Sequence, residues 1–166
     1  FILLKNAPEP VSYDAVSLDI GSRSRGIEDT PGAWEYTIPT RPISKLVERI
    51  DAAEQRLVEN KDNAASVVVV GGGAAGIELA MSMRVRWESL LGDQLKITLL
   101  DASDELLPHE TPPNREAVRH VLNDRDNHVL RNCHVEEITE SHIVLTEENN
   151  DDVDGAVTTI PYTYCL

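Results

Sequence analysis

Residues 67–80 read VVVVGGGAAGIELA, and this stretch decides the fold. Val67, Val68, Val69 and Val70 form an unbroken β-branched run of strand length, as expected of a central parallel strand buried on both faces. Gly71, Gly72, Gly73, Ala74, Ala75 and Gly76 follow at once and fit Gly-x-Gly-x-x-Gly. A helical pattern then runs to about Leu91, with Gly92 as its stop. Residues 95–100, LKITLL, make a second strand that ends on Asp101. Strand, glycine loop, helix and strand together occupy about 35 residues, the size of one parallel β-α-β unit.

A glycine cluster alone marks only a turn. Here it leaves a buried strand and opens a helix, and each glycine has a physical task. Gly71 permits the tight turn, Gly73 lets the main chain approach a pyrophosphate, and Gly76 lets the helix pack near the sheet. The helix N-terminus offers N–H groups and partial positive charge to phosphates. The loop is therefore expected to bind a dinucleotide through residues 71–76. Asp101 lies 25 residues after Gly76. A strand-end carboxylate there suits a turn or cap, but after these glycines it is read as the acceptor for adenosine ribose hydroxyls. It would repel a 2′-phosphate, and no arginine occurs at 102–105, so NADH is expected over NADPH. Glu78 keeps two readings: a carboxylate in the first helical turn favoured by the dipole, or a group directed toward the nicotinamide.

Further out, the alternation at residues 13–20 predicts a strand, and residues 21–40 a connector. Ile43, Leu46, Val47, Ile50, Ala53, Leu57 and Val58 predict one helical face, with Pro42 near its start and the polar 61–63 break after it. Pro112 and Pro113 open another helix, with Ala117, Val118, Val121 and Leu122 on one side. Residues 128–130 predict a short strand. Alternating stretches at 134–139, 142–146 and 156–162 predict an antiparallel meander with an acidic 147–154 loop. The fold class is α/β: a Rossmann-like parallel sheet with helices on both faces, plus an antiparallel β-meander.

The 166 residues suit one compact domain with part of a second. Phe1 and Cys165-Leu166 look unlike natural termini, which predicts a fragment. The net charge of −14 argues against nucleic acid and anionic membranes as partners. Residues 134–155 hold eight Asp or Glu and no Lys or Arg, read as a solvated surface and loop. No apolar run reaches the roughly 20 residues of a membrane span. Cys133 and Cys165 lack metal or redox spacing and read as buried packing residues, compatible with a reducing compartment. The five histidines show no ligand spacing, and Trp34 and Trp87 read as packing residues.

Three segments carry a family resemblance: residues 13–22, YDAVSLDIGS; residues 67–80; and Leu106-Leu107-Pro108-His109 after the Asp101 strand. Together the chain resembles the pyridine nucleotide-disulfide oxidoreductase superfamily, particularly its type II NADH dehydrogenase-like members. Residues 18–22, LDIGS, with Pro31-Gly32-Ala33 and Ile38-Pro39, are most similar to the oxidoreductase module fused to selenide, water dikinase. The resemblance implies an FAD domain interrupted by an inserted NAD(H) domain. Residues 1–40 would be an FAD-domain remnant and connector, and 41–166 the inserted domain, with 160–166 leading back. It places Glu78 near nicotinamide and flavin. It also implies FAD in the full-length protein, with the remainder of the FAD domain and possibly a fused selenophosphate synthetase domain as partners. The Ala-Thr-Gly usual at the FAD-domain strand end reads Asp19-Ile20-Gly21 here, and no redox disulfide pair is present. The expected activity is hydride transfer from NADH to flavin in the parent enzyme, the fragment alone binding NADH without turnover. The alternatives are a non-catalytic NADH-sensing module and a glycine loop that holds FAD itself.

Overall fold

A computed structural model describes residues 1–19, 21–60, 64–147 and 156–166. The elements in order are α1 (Ala33–Tyr36), α2 (Ile43–Asn60), β1 (Ala65–Val70), α3 (Ala74–Leu91), β2 (Leu95–Leu100), α4 (Pro112–Asp124), β3 (Asn127–Leu130), β4 (Cys133–Ile138), β5 (His142–Glu147), β6 (Ala156–Pro161) and β7 (Tyr164–Cys165). A short 3-10 turn, Gly92–Gln94, joins α3 to β2. The four-stranded parallel sheet has the order β3-β2-β1-β7, and a separate antiparallel sheet the order β4-β5-β6.

The valine run does what its composition demands. Val67, Val68 and Val69 are essentially inaccessible because both faces of β1 are covered. Val67 and Val69 join Ile97 and Leu99 of β2 in one core. Into that core α2 sends Leu46, Ile50, Ala53 and Leu57, α3 sends Ile77, Ala80, Met83 and Trp87, and α4 sends Leu122. Val68 and Leu100 face the other way, onto Ile138, Ile143 and Leu145 of the meander. The three long helices thus share one face of the parallel sheet. On the second face the expected helix is reduced to the single turn α1, which packs Ala33 beside the meander.

Helix limits follow local chemistry. The carbonyl of Pro42 accepts from Lys45 and Leu46 as α2 begins. The 61–63 break expected after it lies outside the described residues, as does 148–155, most of the expected acidic loop. Gly92 ends α3 at φ 51°, its N–H donating to Glu88. On α4 only Leu122 is buried; Val118 is half-buried and Ala117 and Val121 are exposed, a narrower apolar stripe than the sequence suggests.

Residues 13–19 form no strand, and Ile20 lies outside the described residues. Alternation specifies a face to bury, but a strand also needs a neighbouring ladder, and none pairs here. Tyr13, Val16 and Leu18 stay exposed. The 21–40 connector is more tightly held than expected. Ile138 donates its N–H to Pro31, and Ile38 donates to Cys165, so this segment spans the meander and the β7 edge. Residues 160–166 contribute β7, which lies parallel to β1.

Both cysteines are buried. Burial pushes the Cys165 thiol up to about 12, which leaves it protonated and inert at neutral pH. The two tryptophans differ from each other. Trp87 is fully buried, its Nε1 donating to Glu54 at 3.1 Å and its ring meeting Tyr164 edge-on at 5.2 Å. Trp34 is 63% exposed and is not the packing residue the sequence suggests. Replacing Trp87 by Ala should cost roughly 3–5 kcal/mol in urea unfolding. Trp34→Ala should stay within about 0.5 kcal/mol. Equal losses would contradict this assignment of the core.

Candidate functional site

The site is built by strand register. In β1 and β2 Val70 pairs with Leu100, and in β2 and β3 Leu100 pairs with Leu130, so three strands end level. The ladder continues past them: Gly71 donates to Leu100 at 2.8 Å and Asp101 donates to Leu130 at 2.9 Å. Whatever follows each strand therefore emerges along one edge. The glycine loop, Asp101 and Arg131 become neighbours although up to 60 residues separate them.

Gly71 sits at φ 111°, a conformation that L side chains rarely adopt, and turns the chain out of β1. Gly76 lies so close to that turn that a Cβ on it would be 1.8 Å from the Gly71 carbonyl oxygen. Close packing of the first turn of α3 against the strand end is thus the reason for glycine at 76. Gly73 caps α3 in extended geometry, φ −73°, with nothing within 4 Å of a would-be Cβ. The first helical bond runs from Ile77 N–H to the Gly73 carbonyl. No side chain caps the helix start, and Gly73, Ala74 and Ala75 are exposed. Their N–H groups face outward without intrahelical partners. Turning at Gly71 and close packing at Gly76 account for glycine at those two positions, and Gly73 stands in open space.

Asp101 is half-buried and held at both backbone atoms, since Cys133 donates to its carbonyl at 3.1 Å. Its carboxylate lies against Gly72: a Cβ there would be 2.5 Å from Oδ2. Leu106, buried, crowds the same spot at 2.4 Å. Glycine loop and carboxylate are thus in contact, as their strand positions require. Glu78 is exposed and lies in the second turn of α3, not the first, so the dipole explanation for it weakens.

No arginine follows Asp101 directly at 102–105. The structure brings Arg115, Arg119 and Arg131 around a notch of about 50 Å³ with Leu106 and Pro112. Arg131 donates to the Asp104 carbonyl, and Arg115 pairs with Glu105. The signal was available: Arg131 follows β3, whose parallel register puts its exit beside that of β2. A broad open depression of about 590 Å³ lies elsewhere, along residues 23–35, and includes none of the expected site residues. Among the described residues no group of three or more His, Cys, Asp or Glu could hold a metal, and no helix is long and apolar enough to cross a membrane.

The profile of one protein family, pyridine nucleotide-disulphide oxidoreductase, matches residues 3–163. The chain is similar to the NADH dehydrogenase-like protein YutJ of Bacillus subtilis, 26% identical across 86% of this chain and 47% of that protein. It is also similar to the alternative NAD(P)H-ubiquinone oxidoreductase C1 of Arabidopsis thaliana, 29% identical across 72% of this chain and 22% of that protein. It thus spans less than half the length of either. A solved structure of NDH2 from Plasmodium falciparum in complex with NADH superposes with a TM-score of 0.69 at 17% identity, covering 86% of this chain and 32% of that one. That likeness concerns the fold.

The glycine geometry separates two effects. Gly76→Ala should destabilise by about 1–3 kcal/mol through its clash with the Gly71 carbonyl. Gly73→Ala should stay within about 0.5 kcal/mol, since its φ is ordinary and the space open. Thermal and urea unfolding compare them; a Gly73→Ala loss as large as that of Gly76→Ala would refute the description of this loop.

Proposed function

The chain belongs to the pyridine nucleotide-disulphide oxidoreductase family, and from that premise we propose that it is the NADH-binding part of a flavin-dependent oxidoreductase. The carrying observation is the open, uncapped start of α3 with the Asp101 carboxylate beside it. Gly73, Ala74 and Ala75 would donate main-chain N–H groups to the pyrophosphate, with Gly71, Gly72 and Gly76 shaping the loop. Asp101 would accept the adenosine ribose hydroxyls. This donor and acceptor set fits a dinucleotide.

NADH held here would supply a hydride for which FAD in the parent protein would be the acceptor. The work of this chain is to fix the adenosine half so that the nicotinamide end is presented to the flavin. Glu78, exposed one turn beyond the loop, is the residue proposed to meet that end. The sequence contains one Gly-x-Gly-x-x-Gly string, which supports a flavin held by another part of the parent, the remainder of the FAD domain. Residues 1–40 are proposed as an FAD-domain remnant and connector, and 41–166 as the inserted NAD(H)-binding domain. Ubiquinone is an acceptor of the Arabidopsis relative by its name. Residues 18–22 support, on sequence likeness alone, a parent fused to a selenophosphate-making domain.

Stopped-flow mixing of the flavin-loaded parent with NADH should reduce its flavin. Gly73→Ala should weaken NADH binding on the order of tenfold or more while leaving the fold intact, because a Cβ there displaces charge-assisted hydrogen bonds. Tight NADH binding without flavin reduction would favour the sensing alternative. Unchanged NADH affinity in Gly73→Ala would remove this loop as the site.

A further inference from the structure

The reason for glycine at 72 differs from that at its neighbours. Gly72 does not adopt a positive φ, and it is buried. What a Cβ would meet is mostly one functional side chain: Asp101 Oδ2 at 2.5 Å and Cγ at 2.7 Å, with Leu106 Cδ2 at 2.4 Å. Contacts below 3.0 Å at a Cβ require something to move. The Asp101 backbone is not free to do so, because its N–H is bound to Leu130 and its carbonyl to Cys133. The loop behind Leu106 is also tied, by Arg131 to the Asp104 carbonyl and by Asn132 N–H to the Ser103 carbonyl. What can yield are the side chains of Asp101 and Leu106, and turning Leu106 aside still leaves the 2.5 Å collision with Oδ2, so the carboxylate must rotate as well.

Resting on the coenzyme reading above, we propose that Gly72 is a positioning residue for coenzyme choice: its missing Cβ is the space that holds the Asp101 carboxylate toward the ribose. A methyl group at 72 turns the carboxylate away. The ribose then loses its acceptor, which weakens NADH. A 2′-phosphate loses its repulsion, while Arg115 and Arg131 still line a notch together with Leu106. The two coenzymes therefore respond unequally, and the ratio of their affinities reports the carboxylate position separately from the loop as a whole.

The test is calorimetric titration of the full chain with NADH and NADPH in four forms: unsubstituted, Gly72→Ala, Asp101→Asn and the double variant. Gly72→Ala should lower the NADH-to-NADPH affinity ratio on the order of tenfold. In the Asp101→Asn background the same substitution should change that ratio little, because two residues acting through one contact are not additive. Should Gly72→Ala not fold, Gly72→Ala/Leu106→Ala removes the second collision and carries the same comparison. Equal weakening of both coenzymes, or a Gly72→Ala effect that adds in full to Asp101→Asn, overturns this inference alone. No NADH binding by the unsubstituted chain overturns the coenzyme reading and this inference with it.

Discussion

The in-phase parallel pairing of β1 with β2 is the constraint on which the rest depends. Val70 opposite Leu100 makes two strands end at the same height, and the bond from Gly71 N–H to the Leu100 carbonyl extends the match into the loop. A slip of one residue would turn Val67 and Val69 from the helical core to the meander side and carry Asp101 away from Gly72. Register is thus fixed by two separate hydrophobic layers, and the relation between loop and carboxylate follows without further instruction.

That two-sided burial explains the valine run. A strand packed on one side alternates; β1 does not, because Val68 has the apolar residues of β5 below it while Val67 and Val69 have α2 and α3 above. The meander therefore completes the cover of the parallel sheet on a face where helices are reduced to one turn. Tyr162 ties this second layer down, its hydroxyl donating to the Thr139 carbonyl. Burial pushes that phenol up to about 12, so it keeps its proton to donate throughout the neutral range.

What was legible in the sequence was whatever a local pattern determines. The glycine string, the buried valines, the 43–60 helix and the three meander strands all announce themselves within a few residues. What was not legible depends on partners distant in sequence. Residues 13–19 alternate but find no ladder. Trp34 has the large apolar ring of a core residue, yet it is exposed while its neighbour Ala33 is buried. Arg131 is 30 residues from Asp101, and only strand order brings it to the same edge. Gly72 belongs here too: the string leaves its position free, and the reason for glycine is visible only with Asp101 folded against it.

The acidic chain carries its arginines at this edge partly neutralised, Arg115 by Glu105 and Arg119 by Glu116. The main positive feature offered to a diphosphate is therefore the backbone of α3 itself, whose N–H groups need no countercharge. A crystal structure of the protein with NADH bound tests this most directly. Pyrophosphate oxygens within hydrogen-bonding distance of the main chain at 73–75, with a ribose hydroxyl on Asp101, are the predicted result. Coenzyme seated away from this edge, or a ribose turned from Asp101, would contradict it.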